Sequence, residues 1–356
     1  MQQDPIAAHA RRFAWRAEHI YGVADRANAS PLYAHVSAQI ATDPDVIRLV
    51  VNADSHTTTA NLLFGAVHFL LLSGVTHPLA DFYPSLTTAP RPVEDAYPHF
   101  RAFSLEYAET IEQIILTHTV QTNEVQRCTG LLPAFTYLAQ KLNHRPFDLI
   151  EVGASAGLNL YWDRYAYDYQ GSGQVGAGSP VQLTCEVRGE HTPPLLNHFP
   201  IVASRVGIEL MPIDIDDEEA IRWVRALIWP EHRDRAHLFQ QALTVARHNP
   251  PPIIAGDMVA QLPNVLSSLA GSRAICLYHS YTLNQCPRAV GEAVEQLLLE
   301  HSRRQPLYRI ALEWYGGQVY PHLELFAYRH GTVTRELLAY CESHGRWIAW
   351  LVGANN

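Results

Sequence analysis

The segment from Phe147 to Tyr165, FDLIEVGASAGLNLYWDRY, has the residue types and spacing best suited to chemistry in this chain. A short apolar run leads into Glu151, and a turn from Gly153 to Gly157 follows it. The next residues can form a helix, so the pattern predicts a strand, a tight glycine turn and a helix. In α/β proteins such a turn lies beyond the carboxyl end of a strand, where ligands bind.

Dinucleotide binding is the first chemistry that uses such a turn. It requires the pattern G-x-G-x-x-G, whose glycines allow the tight turn, the approach of the pyrophosphate and close helix packing. Ser155 and Leu158 occupy the second and third glycine positions here. A nicotinamide or flavin site is therefore not expected.

Acyl transfer by a nucleophilic serine is the second chemistry that uses such a turn. The pattern G-x-S-x-G of the nucleophile elbow matches residues 153–157 and would expose Ser155. Asp257 and either His322 or His344 could complete a triad in the chain order Ser, Asp, His. An elbow normally follows several strands and has its own oxyanion donors, whereas this one follows a helical half. The hydrolase remains an alternative.

The third chemistry is the S-adenosylmethionine loop of class I methyltransferases, in which an acidic residue, a glycine-rich turn and a helix follow one another. Glu151, Gly153 and Gly157 fit this arrangement, and Ser155 replaces the usual middle glycine. The rest of the chain has to decide among these chemistries.

The elements that must position this turn change in character near residue 145. Before it, apolar residues recur at helical spacing from Ile6 to Ala17 and from Leu105 to Ile115, which predicts an α-helical N-terminal domain over 1–145. After it, short apolar runs alternate with helical segments, which predicts a mostly parallel α/β sheet over 146–356. The Gly- and Pro-rich stretch of about 168–200 is expected to be an insertion with one extra strand near 181–187.

Seven short apolar runs are the predicted strands of this sheet. They span residues 149–153, 202–210, 252–257, 274–279, 307–314, 323–328 and 348–352. Helices are predicted over 217–228, which opens with acidic residues, and over 288–300. No convincing crossover helix follows 307–314, so the sheet is expected to end in an antiparallel strand pair.

Polar side chains follow the predicted strands at their carboxyl ends, where the ligand sites of such sheets lie. Glu209 can accept both hydroxyls of a ribose, and Asp257 can meet an adenine amino group while Met258 packs against the ring. His279 and Tyr281 follow the next strand, and His279 is the candidate general base. Glu209 lies far along the chain from the turn, so Glu186 is a rival ribose ligand unless the insertion loops out.

This order of motifs resembles that of the class I S-adenosylmethionine-dependent methyltransferases over about residues 147–352. The whole chain, with QTNEVQR (121–127), EVGASAGLNL (151–160) and RWVRALIWP (222–230), resembles an uncharacterised bacterial domain-of-unknown-function family. The resemblance implies a Rossmann-like methyltransferase fold with an antiparallel C-terminal strand. It brings no established substrate or catalytic residue.

The resemblance implies a site in which S-adenosylmethionine is the cofactor. His279 and Tyr281 would face the methyl acceptor, and a lid from the helical half would contribute Asn123, Glu124 and Arg127. The residues expected to contact the cofactor are Glu151, Gly153, Ala154, Ser155, Gly157, Asn159, Glu209, Asp257 and Met258.

Composition limits the partners. The net charge of −9 disfavours nucleic acid and anionic membranes, so the expected partner is a small-molecule substrate. The five cysteines are scattered without a C-x-x-C pair, which favours a reducing cytoplasm and argues against a metal site. The apolar run from Leu62 to Val75 is too short to span a bilayer and predicts a buried helix. The oligomeric state is left open, and a non-catalytic binding protein of the same fold is a further alternative.

Overall fold

The computed structural model describes residues 4–23, 25, 28–53, 59–269, 271 and 273–353. The chain forms two compact units. The first consists of Met1–Thr122 and Asp217–His237, and the second consists of Asn123–Asp216 and Leu238–Asn356. The division follows residue 122 rather than 145, so residues 123–145 belong to the unit that contains the sheet.

The described residues form eleven α-helices in chain order. They are α1 Pro5–Arg16, α2 Pro31–Ile40, α3 Pro44–Arg48, α4 Thr59–Leu72, α5 Ala96–Glu106, α6 Ala108–Thr117, α7 Cys128–Lys141, α8 Glu218–Ala226, α9 Arg233–His248, α10 Met258–Ser268 and α11 Arg288–His301. A π-helical turn, Ala17–Tyr21, extends α1, and short 3₁₀ helices span Pro78–Phe82, Val93–Asp95, Val125–Arg127, Leu158–Arg164 and Leu283–Gln285.

Acidic and hydroxyl side chains begin several of these helices. The Asp217 carboxylate accepts from the backbone N–H groups of Glu219 and Ala220, which confirms the predicted helix start. Ser30 caps α2 in the same way through the N–H of Tyr33. Such caps satisfy backbone donors that have no partner within the helix.

Helix α4 is the centre of the first unit. It is apolar on every side, and 12 of its 14 residues are buried, as expected for a helix surrounded by others. Helix α8 packs against it at Gly65, where an added Cβ would lie 3.0 Å from Leu227 and 3.1 Å from Trp223. Among the described residues, no helix has the length and apolar character needed to cross a bilayer.

The described residues of the second unit form twelve strands. They are β1 Phe147–Val152, β2 Ala166–Asp168, β3 Gln174–Val175, β4 Gln182–Thr184, β5 Glu186–Arg188, β6 Val202–Glu209, β7 Ile253–Ala255, β8 Ala274–Ser280, β9 Leu307–Glu313, β10 His322–Arg329, β11 Thr332–Cys341 and β12 Trp347–Trp350. Nine of them form one sheet in the order β5-β12-β11-β10-β9-β8-β1-β6-β7, and β3-β2-β4 form a small second sheet.

The large sheet is mixed but mostly parallel, as the sequence predicts. Neighbouring strands from β7 to β9 are all parallel, and β5 is parallel to β12. Strands β10, β11 and β12 extend the sheet in antiparallel fashion, so three strands replace the expected pair. The missed strand, β11, has four exposed residues at its start and contains Arg335 and Glu336, so its apolar residues are confined to its second half.

The strand order reverses between β1 and β8. From β1 the chain continues to β6 and β7 on one side, and later to β8 and β9 on the other. In open α/β sheets the crevice beyond the carboxyl ends at such a reversal is the usual ligand position. The glycine turn lies at the end of β1, so the fold positions it at the reversal.

Both faces of the sheet are covered. Leu262 of α10 and Leu298 of α11 join Ile150 and Leu277 in one buried cluster. On the other face, Phe135 of α7 stacks on Trp162, with the ring centroids 4.4 Å apart.

The segment after the glycine turn differs from the expected helix. Leu158–Arg164 is a 3₁₀ helix whose regular geometry is interrupted at Tyr161. The hydroxyl groups of Tyr165 and Tyr167 donate to the carbonyls of Leu158 and Trp162, both at 2.6 Å. Helical propensity alone would favour a regular helix here. Aromatic packing and these side-chain hydrogen bonds favour the interrupted 3₁₀ helix instead.

Candidate functional site

The glycines of the turn are required by backbone conformation and packing. Gly153 and Gly157 both have φ of 73°, a left-handed conformation that side chains disfavour. A Cβ on Gly153 would overlap the Thr282 side chain, and one on Gly157 would lie 2.7 Å from the Pro251 ring. The two positions therefore need glycine whether or not a ligand approaches them.

Glu209 joins the turn to the neighbouring strand ends. Its carboxylate accepts from the N–H of Ser155 at 2.8 Å and from that of Met211 at 3.2 Å. Its carbonyl accepts from the N–H of Gly256 at 2.8 Å. These bonds connect the carboxyl ends of β1, β6 and β7.

The rival acid lies elsewhere. Glu186 belongs to β5, the strand at the far edge of the sheet, and pairs with Arg188 at 2.7 Å. The insertion between β1 and β6 loops out to form β2 to β5, so Glu209 is the acid beside the turn.

Glu151 of β1 is a buried carboxyl group beside Tyr278 of the neighbouring strand β8. The two residues are register partners on β1 and β8, and both side chains are almost fully buried. Burial raises the pKa of Glu151 well above its ordinary value, and the nearby Glu209 carboxylate adds to the rise, while Tyr278 opposes it. Glu151 Oε2 and Tyr278 Oη nonetheless lie outside hydrogen-bonding geometry.

Glu313, the last residue of β9, organises the turn that follows β8. Its buried carboxylate accepts from His279 Nδ1 at 2.6 Å and from the N–H of Thr282 at 2.9 Å. It also accepts from the N–H groups of Leu283 and Asn284 at 3.1 and 3.2 Å. Burial opposes ionisation, but the His279 ring and these amides hold the pKa of Glu313 below its ordinary value.

Thr282 brings this second turn against the first. Its hydroxyl donates to the carbonyl of Val152 at 3.2 Å, and its side chain fills the space that a Cβ on Gly153 would need. The carboxyl ends of β8 and β9 are thereby connected to that of β1. Five parallel strands thus end in one hydrogen-bonded edge, which we call the site edge.

His279 lies at this edge but is only 1% exposed. The Glu313 carboxylate accepts from Nδ1, so that nitrogen carries a proton, and in the neutral form of the ring Nε2 is an acceptor. Strand alternation places His279 on the same face as Ile275 and Leu277, opposite to Tyr278 and Ser280.

Tyr281 follows β8 with an unusual backbone. Its φ is 55°, and a left-handed conformation is rare for a bulky residue. The guanidinium of Arg127 lies 4.1 Å from the centre of its ring. Burial raises the pKa of Tyr281 to about 12, although Ser343 and Arg127 act in the opposite direction, so its hydroxyl is protonated at neutral pH.

The three predicted lid residues belong to the unit that contains the sheet. Asn123 Oδ1 accepts from the N–H of Leu158 at 3.1 Å, directly after the glycine turn. Arg127 Nε donates to the carbonyl of Ser343 at 3.0 Å, and Glu124 is buried. These contacts place Asn123 and Arg127 within the second unit. Asn159 is also buried and accepts from Cys128 Sγ at 3.4 Å.

The predicted adenine contacts have structural roles as well. Asp257 caps α10 by accepting from the N–H of Ala260 at 3.0 Å, and its side chain is exposed. Met258 packs partly buried against the cluster formed by α10 and α11. Ala154 is fully buried, and an added Cβ on Gly207 would lie 2.7 Å from the Ala154 Cβ, which explains the glycine in β6.

Unpartnered buried polar atoms concentrate at the site edge. Among the described residues, 14 buried side-chain nitrogen or oxygen atoms have no hydrogen-bond partner, and seven of them lie on β1, β8 and the turns that follow these strands. The seven are Glu151 Oε2, Ser155 Oγ, Tyr278 Oη, His279 Nε2, Ser280 Oγ, Tyr281 Oη and Asn284 Oδ1. Such groups are rare in folded proteins, and each calls for an explanation.

Sequence reasoning missed Glu313, Thr282 and Tyr278. Glu313 ends a buried strand, so the rule that selected Glu209 and Asp257 would have found it too. Thr282 and Tyr278 carry no such signal, because their importance comes from contacts with residues about 130 positions away.

Comparisons with known proteins identify a family and no activity. A family model described as an uncharacterised protein conserved in bacteria (DUF2332) matches residues 11–350. No curated protein and no solved structure matches the chain.

Proposed function

The chain belongs to this bacterial family, and from its site we propose that it is an S-adenosylmethionine-dependent methyltransferase, or a protein that keeps that fold and cofactor. The observation that carries the proposal is the group of seven unpartnered buried polar atoms at the reversal of strand order. A polar ligand held there would satisfy atoms whose burial is otherwise unfavourable.

The chemistry of these atoms fits the amino-acid end of the cofactor. Ser155 and Tyr278 offer hydroxyl donors, and Asn284 Oδ1 offers an acceptor, as a group with both an ammonium and a carboxylate requires. Glu209 uses two of its acceptor positions on backbone amides and keeps others for ribose hydroxyls. Asp257, at the end of β7, would meet the adenine amino group, with Met258 beside it.

When bound, S-adenosylmethionine supplies an electrophilic methyl group. The chain's own task is to align the acceptor with it and to exclude water, since alignment alone can account for several kcal/mol of a barrier. Tyr281 stays protonated and acts as a hydrogen-bond donor, and His279 Nε2 is the proton acceptor. Glu313 positions His279 by fixing the proton on Nδ1.

The 3₁₀ helix after the turn affects how the cofactor would be held. A seven-residue 3₁₀ helix has no long helix dipole to attract an anion. The methionine end would therefore depend on the side chains of the site edge and the amides of residues 153–157.

Calorimetric titration with S-adenosylhomocysteine tests the proposal, with NAD as the control ligand. We expect a dissociation constant in the micromolar range, about −8 kcal/mol, and no binding of NAD. Gly153→Val should abolish binding. Absence of heat from the folded wild-type protein, or unchanged binding by folded Gly153→Val, would contradict it.

A serine hydrolase is the second candidate because Ser155 has φ of 56° and an unpartnered Oγ, as a strained nucleophile could have. Neither candidate histidine is bonded to it: His322 Nδ1 lies 3.1 Å from Gln318 Nε2, and His344 Nδ1 lies 3.3 Å from Glu342. Labelling by a fluorophosphonate probe that disappears in Ser155→Ala would favour the hydrolase. Cofactor binding without turnover on any acceptor pool would indicate a non-catalytic binding protein.

A further inference from the structure

The connection between β9 and β10, residues 314–321, exposes an unusual amount of apolar surface. We call it the aromatic loop. Of the 12 large hydrophobic side chains that are exposed in the described part of the chain, four lie in these eight residues. They are Trp314, Tyr315, Val319 and Tyr320, with exposed fractions of 44%, 45%, 82% and 46%. Clustered exposed apolar residues commonly mark binding surfaces.

Hydrogen bonds hold this loop in shape. Trp314 Nε1 donates to the carbonyl of Gln318 at 3.0 Å, and the N–H of Tyr315 donates to Gln318 Oε1 at 2.9 Å. The ring of Tyr320 lies edge-on to that of Trp347, with centroids 5.0 Å apart. The apolar side chains are thus presented by an organised loop, and ordering them in advance lowers the entropic cost of binding a ligand.

The loop is continuous with the site edge. It starts directly after Glu313, and Asn284 Nδ2 donates to the carbonyl of Trp314 at 3.0 Å. The other atom of the same amide, Asn284 Oδ1, is one of the seven unpartnered atoms. The loop follows β9, which lies beyond β8 on the side opposite to β6 and β7, the strands that carry Glu209 and Asp257.

We propose that the aromatic loop is the acceptor subsite and that the acceptor carries a planar aromatic group. That the bound molecule is a methyl acceptor rests on the proposed function, but its binding to the aromatic loop can be tested separately. The four side chains expose on the order of 400 Å², given that an aromatic side chain can bury about 150–250 Å². A stable protein interface needs about 800 Å² per partner, so the area suits a small molecule and not a second chain.

Indole is a suitable probe because it is planar, neutral and small. Its binding is measured by saturation-transfer NMR, with S-adenosylhomocysteine titrated separately by calorimetry. Val319→Asp places a charge in the loop at an exposed position, and Val333→Asp is the matched control on β11, where Val333 is 38% exposed. We expect wild-type binding at millimolar strength, at least threefold weaker binding by Val319→Asp and no change in Val333→Asp. Trp314→Ala should weaken binding as well, and Trp314→Phe should restore most of it.

Several outcomes would overturn the subsite: no indole binding by the wild type, equal binding by Val319→Asp, or equal loss in the control. The wild type could instead bind no indole and sediment as a dimer that Val319→Asp dissociates. That result would identify the loop as a protein interface. Indole binding without cofactor binding would retain the subsite and reject the methyltransferase. Cofactor binding without indole binding would retain the proposed methyltransferase and reject the subsite.

Discussion

The side chain of Thr282 occupies the space directly over the α-carbon of Gly153, and its Cβ would lie 2.9 Å from a Cβ added there. The contact joins the turn after β1 to the turn after β8 across the reversal of strand order. Glu313 fixes the second turn through three backbone amides. A change at Gly153 would therefore be transmitted to the residues that would face the acceptor.

Replacement of Gly153 by alanine should lower the free energy of unfolding by more than the cost of placing alanine in a left-handed backbone conformation. A left-handed non-glycine residue costs about 1–2 kcal/mol, and the overlap with Thr282 adds to this. Gly178→Ala is the matched control, because Gly178 has φ of +79° and no atom within 4 Å of an added Cβ. Urea unfolding of both variants measures the difference. Equal losses would show that the Thr282 contact has no energetic weight, and Thr282→Gly should partly rescue Gly153→Ala.

Glu313→Gln should be strongly destabilising. A glutamine keeps one acceptor oxygen where the carboxylate accepts four hydrogen bonds, and breaking a buried pair costs about 3–5 kcal/mol. Glu292→Gln, in an exposed pair with Arg288, should change stability by less than about 0.5 kcal/mol. The two variants are compared by urea unfolding at pH 7. A loss in Glu313→Gln no larger than in the control would be inconsistent with this role.

The contribution of Glu313 should also depend on pH. Its folded pKa is depressed below 4.5, so the stability it contributes is present above that value. This stability is lost as the pH falls from 4.5 through the folded pKa. The difference between wild type and Glu313→Gln should therefore shrink in that window.

The pH dependence of stability that Glu151 causes should have the opposite sign to that of Glu313, and Glu151→Gln tests this. The folded pKa of Glu151 is raised, so the folded state binds the proton more tightly and wild-type stability falls as the pH rises above 4.5. The variant lacks this charge and should match or exceed the wild type in stability at pH 7. It should also bind S-adenosylhomocysteine more weakly, because the carboxyl group would contact the cofactor. A variant that is less stable than the wild type at pH 7 would refute the raised pKa.

His68 should make the first unit sensitive to acid. Its ring is buried and bonded to the carbonyl of Ala226 and to Ser85 Oγ, and burial lowers its pKa to about 4. The unfolded chain takes up the proton near pH 6.5, so stability is lost as the pH falls from about 6.5 to about 4, by about 3 kcal/mol. Hydrogen exchange of peptides from α4 measures this loss. His68→Gln should remove that part of the pH dependence, and an unchanged slope would count against it.

Local sequence signals predicted much of the sheet and part of the site. Apolar runs bounded by glycine or proline identified β1, β6, β7, β8 and β9. The signal is clearest for β1, β8 and β9, which are buried along nearly their whole length, as parallel strands covered on both faces are. The strand-end rule likewise selected Glu209, which lies beside the turn. Strand β11 was missed because its first half is exposed and charged. A regular helix was predicted after Gly157, where a 3₁₀ helix is found, because Tyr161, Tyr165 and Tyr167 act through tertiary contacts that propensity does not include.

The sequence by itself determined the glycine turn after a buried strand, the alternation that builds a mostly parallel sheet and the acidic strand ends, because these depend on neighbours within a few residues. Only the tertiary structure decided that Glu313 holds the turn after β8, that Thr282 rests on Gly153 and that Asn123 and Arg127 belong with the sheet. These relationships join residues 30 to more than 200 positions apart, and they exist only once strand order and register bring the carboxyl ends to one edge.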